Sequence, residues 1–455
     1  MDAVLDDHAA ASALLAEHGS PINLIDPARL DDHAAELVAA GEALGIPLRV
    51  FFARKANKTL ALVDRALAAG HGIDVASLRE LTQVLGRGAG PEQVIVTAAV
   101  KPRSLVEASI DAGVVVSLDN LDEVALVREV AAERERDVRV ALRLAPELSS
   151  PAGDTRFGLP AGEWAALLAT GAGSGSGSAT AARLQVEGIH VHLHGYDAAD
   201  RTAALAQAMD LCEEARRLGH GPTFVDLGGG IPMRYVDEPG PWTEFWTAHR
   251  DGVAQAASET GGGDTLTWKG RPLGTAYPMW QDPVRGAWLT EALRPVADRM
   301  RALGLSLHLE PGRTLLDGCG LTLARVEMRK RARDGSLLVG LAMNRTQCRS
   351  AADDFILDPV LVPHPDGVRC EPGEGFLVGA YCIEAELLTW RRLAFDEGVA
   401  VGDVVGFVNT AGYQMHILES ASHQIPLARN LVPSSRDDAG IPTGWRLDDI
   451  DRPTS

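Results

Sequence analysis

Short runs of β-branched and apolar residues alternate with helix-forming stretches over most of residues 1–310 of this chain. Alternation of this kind builds parallel sheets, because each strand is followed by a helix that returns the chain to the start of the next strand. Eight strands are predicted, at Leu48–Ala53, Gly72–Ala76, Gln93–Thr97, Gly113–Leu118, Val138–Leu144, Glu187–Leu193, Thr223–Leu227 and Leu305–Leu309. This number favours a closed (β/α)8 barrel; an open doubly wound sheet is the alternative, since alternation alone cannot show closure.

The chain beyond Leu315 has a different pattern. Short strand-like runs are broken by Gly and Pro and show little helical periodicity; they are Leu321–Glu327, Leu337–Leu341, Gly375–Val378 and Val404–Val408. This pattern predicts a second domain that is mostly β.

Residues 236–304 separate the last two predicted barrel strands by far more than one helix requires. This insertion is rich in tryptophan, with Trp242, Trp246, Trp268, Trp280 and Trp288. An aromatic-rich insertion of this length can form a lid or a surface for a partner. The alternative is a small separate core beneath a long loop, a satellite core. We refer to residues 236–304 as the Trp-rich insertion.

The composition excludes several classes of protein. With 455 residues, 46% apolar and 23% charged, the chain can bury at least one large core. Its formal charge of -19 argues against general affinity for nucleic acid or anionic membranes. The five cysteines are widely separated and outside metal-binding spacings, which favours a reducing compartment. Because the N-terminus is acidic and no apolar stretch is long enough to cross a bilayer, we expect a cytoplasmic protein, and we expect no metal.

Two motifs follow the first and seventh predicted strands, at the end of a barrel where chemistry takes place. Lys55, in FFARKANK, comes directly after the first strand. An apolar surround there would lower the pKa of its amine and make it a nucleophile for a Schiff base; the alternative is a solvated lysine. Gly228, Gly229 and Gly230, in FVDLGGGIP, follow the seventh strand. Glycines there allow backbone N–H groups to approach a phosphate, or they form only a tight turn.

The eighth predicted strand is followed by Glu310 and Arg313, in the sequence EPGR. The carboxylate can pair with a protonated ring nitrogen and the guanidinium with a phosphate, although the two could also form a structural ion pair.

Three histidines alternate along the sixth predicted strand, in the sequence GIHVHLHG. The period of a strand places His190, His192 and His194 on one face, in the barrel interior or at its mouth. Three histidines can bind zinc, but the sequence offers no carboxylate or cysteine beside them. Stacking of one imidazole on a planar ligand is the favoured functional interpretation, and a hydrogen-bonded core is the alternative.

Together these residues place an amine, a phosphate cradle, a partner for a ring nitrogen and a flat imidazole at one end of a barrel. Pyridoxal 5'-phosphate requires this set. The motifs ARKAN, GIDVAS, RFG, GIHVHLHG, DLGGG, EPGR, GAYC and AGY occur in this order between about Leu48 and Val432. In this series the chain resembles the fold-type III pyridoxal-phosphate decarboxylases, the family of diaminopimelate, ornithine and arginine decarboxylases built on an alanine-racemase-like barrel.

The resemblance implies a decarboxylase of an amino acid or amino-acid conjugate, with pyridoxal 5'-phosphate as cofactor. Lys55 would form the internal aldimine, His192 would stack on the ring, and Glu310 would keep the ring nitrogen protonated to stabilise the quinonoid left by decarboxylation. The implied phosphate ligands are Gly228, Gly229, Gly230, Arg313 and Tyr413, and Asp74, in GIDVAS, would have a supporting position near the cofactor.

The resemblance also implies a homodimer with shared sites. Cys382, in GAYCIEAE, would reach the neighbouring subunit's site and protonate the carbanion after carbon dioxide leaves. The implied domains are a cofactor-binding barrel over residues 33–315, and a β domain, formed by residues 1–32 with 316–455, that contributes Cys382 and Tyr413 to the sites.

The chain departs from the pattern of that family in several places. Arg156 stands where the family usually has lysine before Phe-Gly, and His194-Gly195 stands where Gly-Ser is common. Ile383 replaces an acid that grips the distal group of the substrate, and Glu384 follows at a shifted register. An unpaired distal ammonium would lose a charge-assisted bond of roughly 1.5 to 3 kcal/mol, so a modified or conjugated amino acid is favoured over free ornithine, lysine or diaminopimelate.

Two other functions are compatible with such a barrel. One is a pyridoxal-dependent racemase or epimerase, although alanine racemases pair the ring nitrogen with arginine, so Glu310 favours decarboxylation. The other is a non-catalytic carrier of the cofactor. Single-barrel carriers lack a C-terminal β domain. The predicted β domain of this chain, together with Cys382, therefore argues against a carrier function.

Overall fold

The structure is a computed structural model that describes residues 1–170, 184–256, 266–274, 277–349 and 357–452. The helices in these ranges are α1 Asp2–Leu5, α2 His8–His18, α3 Arg29–Ala43, α4 Leu60–Ala68, α5 Leu78–Gly86, α6 Arg103–Ala112, α7 Leu121–Arg134, α8 Ala161–Ala169, α9 Ala198–Arg217, α10 Gly240–Ala256, α11 Arg285–Leu293 and α12 Ala297–Ala302. Within these ranges, no helix is long and apolar enough to cross a membrane.

Eight parallel strands close into a barrel. They are β2 Leu48–Ala53, β3 Gly72–Val75, β4 Val94–Val96, β5 Val115–Leu118, β6 Val138–Leu144, β7 Leu184–Val191, β8 Phe224–Asp226 and β9 Ser306–Leu309. The register Val50↔Leu309 joins the last strand to the first. The predicted closed barrel is therefore confirmed and the open sheet is excluded. The largest difference in bounds is at β7, which begins three residues before the predicted Glu187 and ends at Val191.

The interior of the barrel is apolar at one end and polar at the other. Near the strand N-termini, the buried side chains of Phe51, Ile95, Val115, Ala141 and Phe224 form one apolar cluster. Buried polar side chains lie at or just beyond the C-terminal ends; among them are Asp74, Thr97, Ser117, His190, Asp226 and Glu310. Burial of so many polar groups is stabilising only where partners are supplied, so this end is the candidate for ligand binding.

Local capping starts several barrel helices at this polar end. Ser77 accepts a hydrogen bond from the backbone N–H of Glu80 at the start of α5, and Asn120 accepts one from Glu123 in α7. Asp197 does the same for the first turn of α9. These caps satisfy backbone donors at the turn after each strand and so fix where the chain leaves the mouth of the barrel.

The second domain is mostly β, as predicted. Its strands are β1 Ile22–Ile25, β10 Gly320–Arg331, β11 Leu337–Leu341, β12 Val360–Val362, β13 Gly373–Val378, β14 Leu393–Phe395, β15 Val404–Val408, β16 Arg429–Arg436 and β17 Pro442–Leu447. Seven of them lie in the order β14-β13-β11-β10-β1-β16-β17, and β15 pairs with both β10 and β12. Because β1 lies between β10 and β16, the N-terminal segment is part of this domain.

The described part of the Trp-rich insertion packs against both domains. The N–H of Trp268 donates to the carbonyl of Trp390 (2.9 Å), and its ring packs edge-on against Phe376. These aromatic residues belong to one small buried cluster, so this part of the insertion forms the satellite core that was one of the two expectations. Trp288, in α11, is buried in the barrel core instead.

Candidate active site

Lys55 lies at the polar end of the barrel, in the short 3-10 turn that follows β2. Its Nζ donates to Asp74 Oδ2 at 2.9 Å and lies 4.0 Å from Glu310 Oε2. Asp74, in the neighbouring strand β3, pairs in register with Ala53 of β2, and its carboxylate accepts a hydrogen bond from the hydroxyl of Thr97. The side chain of Lys55 is 37% exposed. The structure therefore brings Lys55, Asp74 and Glu310 together.

The electrostatics of Lys55 differ from the expectation. Burial disfavours the charged amine, but Asp74 and Glu310 outweigh it and raise the pKa of Lys55 above its ordinary value. The prediction of a lowered pKa in an apolar surround was wrong, because Asp74, within β3, and Glu310, just after β9, place carboxylates at the amine. In the chain by itself, Lys55 is an ammonium that balances buried negative charge.

Glu310 and Asp226 are buried carboxyl groups with too few donors. In the described part of the chain, neither oxygen of Glu310 accepts a hydrogen bond from an N–H or hydroxyl group, and Asp226 accepts one only from the Gly228 N–H (2.8 Å). Burial, with repulsion from Asp74, raises the pKa of Glu310 well above its ordinary value. Buried acids of this kind match a ligand that carries a cationic ring nitrogen into the site.

Asp226 should make the stability of the cofactor-free protein depend on pH. Burial first, and then Asp74, raise the pKa of Asp226 from 3.8 to about 7. The folded state therefore binds a proton between these values that the unfolded chain has released, so the free energy of unfolding falls as the pH rises through this window. Asp226→Asn should remove up to about 4 kcal/mol of that pH dependence. Urea unfolding of both proteins at pH 4 and pH 8 measures it; equal slopes with pH would contradict the assignment.

The three histidines differ in burial. His190 is fully buried, with Nδ1 2.8 Å from the hydroxyl of Ser117 and Nε2 3.7 Å from Glu310 Oε1. His192 is partly buried, His194 is exposed, and both line the cavity described below. Donor atoms of His190, His192 and Glu310 lie within 4.8 Å of one another. The expectation that no carboxylate lies beside the histidines was therefore wrong, because Glu310 joins them from the end of β9.

His192 presents a neutral ring. Burial, followed by repulsion from Lys55, lowers the pKa of His192 well below its ordinary value. Its ring meets Phe157 edge-on, with centroids 5.8 Å apart, which orients the imidazole. A neutral, fixed imidazole beside Lys55 and Glu310 is suited to stacking on a flat ligand.

The glycine run after β8 leaves no room for side chains. A Cβ on Gly229 would lie 2.8 Å from the carbonyl oxygen of Glu310, and one on Gly228 would lie 2.8 Å from His192 Nδ1. Gly228 and Gly230 also have φ of 67° and 75°, in the region that favours glycine. The run is thus held directly against two site residues, and its last member, Gly230, borders the cavity described below.

Arg313 is enclosed by tyrosines. Its Nη1 donates to Tyr235 Oη at 3.0 Å, and its guanidinium carbon lies 3.1 Å from the ring centroid of Tyr277 and 5.5 Å from that of Tyr413. These groups border a cavity of about 740 Å³. The residues that line the cavity include Arg156, Phe157, His192, His194, Tyr196, Gly230, Tyr277, Arg313 and Tyr413.

Cys382, Ile383 and Glu384 lie on the surface of the β domain and do not line this cavity. The backbone N–H of Cys382 donates to His423 Nε2 (3.4 Å), and the His423 ring stacks on Tyr381. Ile383 is 47% exposed. The structure thus gathers the barrel residues and Tyr413 at one mouth, and leaves these three residues apart from it in the same chain.

Comparison with known proteins decides the family. The profile of the pyridoxal binding domain of pyridoxal-dependent decarboxylases matches residues 31–271. The chain belongs to this family of pyridoxal-dependent decarboxylases.

Relatives resemble this decarboxylase over most of its length. An uncharacterized protein of Sinorhizobium fredii, y4yA, is 32% identical over 90% of this chain and 87% of its own. Diaminopimelate decarboxylase of Pseudomonas aeruginosa is 26% identical over 90% of this chain and 89% of its own length. The crystal structure of diaminopimelate decarboxylase from M. jannaschii with L-lysine has a TM-score of 0.72 at 19% identity, and covers 96% of this chain and 91% of that one.

The cofactor of this decarboxylase is pyridoxal 5'-phosphate, and the site fits it. The Glu310 carboxyl group, which accepts no hydrogen bond from an N–H or hydroxyl group of the described residues, matches the pyridine nitrogen, and the amine of Lys55 matches the aldehyde. Gly230 and Arg313, which border the cavity, match the phosphate.

Three residues of the decarboxylase site escaped the sequence interpretation. Arg201, in α9, is fully buried and its Nη2 donates to the carbonyls of Leu193 and Gly195, which fixes the chain after β7. Asp226 lies within β8, and Tyr277 comes from the Trp-rich insertion. A polar residue at the end of a barrel strand was a usable signal for Asp226. The sequence held no comparable signal for Arg201 or Tyr277, because helix and insertion residues reach the site only through tertiary packing.

Proposed function

We propose that this enzyme decarboxylates an amino acid with a long side chain, with Lys55 as the residue that holds the cofactor. The observation that carries the proposal is the convergence of the Lys55 amine and the donor-poor Glu310 carboxylate, 4.0 Å apart, inside a closed barrel. Proteins of the same fold whose structures are solved include a diaminopimelate decarboxylase and an arginine decarboxylase, and another was solved in complex with cadaverine. They support an amino acid that carries a distal polar group.

The bound cofactor supplies an electron sink that accepts the electrons left when the carboxylate departs as carbon dioxide. Glu310 would hold a proton on the ring nitrogen, which keeps that sink strong. Asp74 would orient the amine of Lys55, and His192 would cover one face of the ring. The glycine run, Arg313 and Tyr413 would bind the phosphate.

The substrate class follows from what surrounds Cys382. In this chain, an exposed apolar side chain, Ile383, stands next to the cysteine, and Glu384 is exposed beyond it. Ile383 cannot form an ion pair with a distal ammonium, so we favour a modified or conjugated amino acid whose distal group is uncharged. A screen of free and conjugated diamino acids for carbon dioxide release, read by mass spectrometry, tests this. Preference for free diaminopimelate, ornithine or lysine would contradict the substrate class, and no release from any amino acid would contradict the decarboxylase role.

We further propose that two copies of the chain share their sites. Three exposed apolar residues, Leu78, Val100 and Leu121, follow β3, β4 and β5 at the mouth of the barrel, and Val100 is 76% exposed. A surface of this kind at a ligand site is suited to contact with a second copy. Such a contact would also explain how Cys382, which is exposed and does not line the cavity of its own chain, could supply a proton to the Cα of a substrate held by the other copy.

Mixed dimers test the shared site. Lys55→Ala and Cys382→Ala should each lose most activity in pure form. After the two variants are mixed under conditions that allow subunit exchange, about one quarter of native activity should return, because half of the dimers are mixed and each has one intact site. Carbon dioxide release before and after mixing measures this. Absence of recovery with exchange verified by native mass spectrometry would overturn the shared site, and full activity of Cys382→Ala would remove the cysteine from the mechanism.

A further inference from the structure

Tyr277 of the Trp-rich insertion lies against the guanidinium of Arg313. The distance from the guanidinium carbon to the Tyr277 ring centroid is 3.1 Å, shorter than those to Tyr413 (5.5 Å) and Tyr235 (5.8 Å). An arginine so close to an aromatic face is attracted by the ring, and more strongly where water is excluded, as at Arg313, which is only 8% exposed. The ring of Tyr277 therefore limits where the guanidinium can lie.

The hydrogen bond from Arg313 to Tyr235 is a second restraint on the guanidinium. Arg313 Nη1 donates to Tyr235 Oη at 3.0 Å, which restricts its rotation. Two restraints on one guanidinium set the direction of its remaining donors. Both Tyr277 and Arg313 border the cavity next to Gly230, the last glycine of the proposed phosphate cradle.

Tyr277 is held in place from both sides along the chain. On its N-terminal side, Leu266 accepts a hydrogen bond from the N–H of Arg392 (2.7 Å), and Trp268 donates to Trp390 in the β domain. On its C-terminal side, the carbonyl of Met279 accepts from the N–H of Tyr235 at 2.8 Å. The insertion therefore spans from the β domain to the barrel mouth and delivers Tyr277 between two anchored segments.

We propose that Tyr277 is a positioning residue that aims the Arg313 guanidinium at the phosphate of the cofactor, which makes the Trp-rich insertion part of the cofactor site. This inference rests on the proposed role of Arg313 as a phosphate ligand. It assigns the insertion a function within its own chain, where the expectations were a lid, a partner surface or a satellite core. It also predicts that the effect of Tyr277 is confined to ligands that carry the phosphate.

The test compares pyridoxal 5'-phosphate with pyridoxal, which lacks the phosphate. Full-length protein is freed of cofactor, and each dissociation constant is measured by absorbance titration. Tyr277→Leu should weaken binding of the phosphorylated cofactor about tenfold and leave pyridoxal unchanged. Tyr277→Phe, which keeps the ring, should stay within about twofold of native. Trp242→Leu, a control in α10 of the same insertion and outside the cavity, should bind both ligands like the native protein.

Two further variants separate this inference from the proposed function. Arg313→Gln should lose the preference for the phosphorylated ligand; if it keeps that preference, the phosphate role of Arg313 fails. If Arg313→Gln loses the preference but Tyr277→Leu keeps it, or weakens both ligands equally, only the positioning role fails. Should Tyr277→Leu not fold, as judged by circular dichroism, Tyr277→Met takes its place, with an expected weakening of about tenfold for the phosphorylated cofactor alone. An unchanged dissociation constant for that variant overturns the positioning role of Tyr277.

Discussion

Replacement of Lys55 by alanine is expected to lower the rate of decarboxylation by about 10³-fold or more and to abolish the absorption of covalently held cofactor. The reason is geometric: Lys55 is the lysine whose amine lies at the barrel mouth beside Asp74 and Glu310. Without it, those buried carboxyl groups also lose their nearest cation. We therefore expect the cofactor-free variant to remain folded but to bind protons more readily at the acid cluster. Absorption spectra and carbon dioxide release measure the two losses.

Two other lysines provide matched controls. Lys58, on the same segment, pairs with Glu419, and Lys58→Ala should retain the cofactor. Lys101 is the more demanding control, because burial lowers the pKa of its amine, as a nucleophile requires. Its Nζ, however, is fully buried and bonded to Glu123 (2.9 Å) and to the carbonyl of Ala98. If Lys55→Ala still binds the cofactor covalently and Lys101→Ala does not, the assignment of the nucleophile is wrong.

The barrel was predictable from the sequence because its signals are local. Each strand is a short buried run, and polar residues at strand ends fall at one mouth once the barrel closes. Lys55, Glu310 and the glycine run could be placed at that mouth for this reason alone. In the β domain, the runs that became β10, β11, β13 and β15 were predicted, whereas β1, β12, β14, β16 and β17 were not. The strand β1 shows why, because its pairing with β10 and β16 joins residues about 300 to 400 positions apart.

The electrostatics of the site could not be predicted in the same way. The pKa of Lys55 depends on Asp74 and Glu310, which lie 19 and 255 positions away along the chain, and the sequence does not state their distances from the amine. The contact of Glu310 with His190 depends likewise on how β7 and β9 converge in the barrel. The contact of Tyr277 with Arg313 could not be predicted either, because it depends on where the Trp-rich insertion is anchored.

Glu310→Gln is expected to slow decarboxylation by about 10²-fold or more while the cofactor remains bound. Glutamine keeps the volume of the side chain, but it is neutral and cannot stabilise a proton on the ring nitrogen. Because Glu310 is 2% exposed, no water can replace the lost charge without rearrangement of the barrel interior. The nitrogen-15 chemical shift of labelled cofactor reports the protonation directly and should move to the value of the neutral ring.

Asp226→Asn distinguishes contact with the ring from the general charge of the site. Asp226 is as deeply buried as Glu310, and its carboxylate oxygen Oδ1 is already occupied by the Gly228 N–H. Removal of its charge should relieve repulsion on Glu310 and make that carboxyl easier to ionise, so we expect a smaller change in rate than for Glu310→Gln. A rate for Glu310→Gln equal to the native one would exclude a catalytic role for Glu310. Equal losses for the two variants, with the ring nitrogen still protonated, would show that Glu310 acts only through the charge of the cluster.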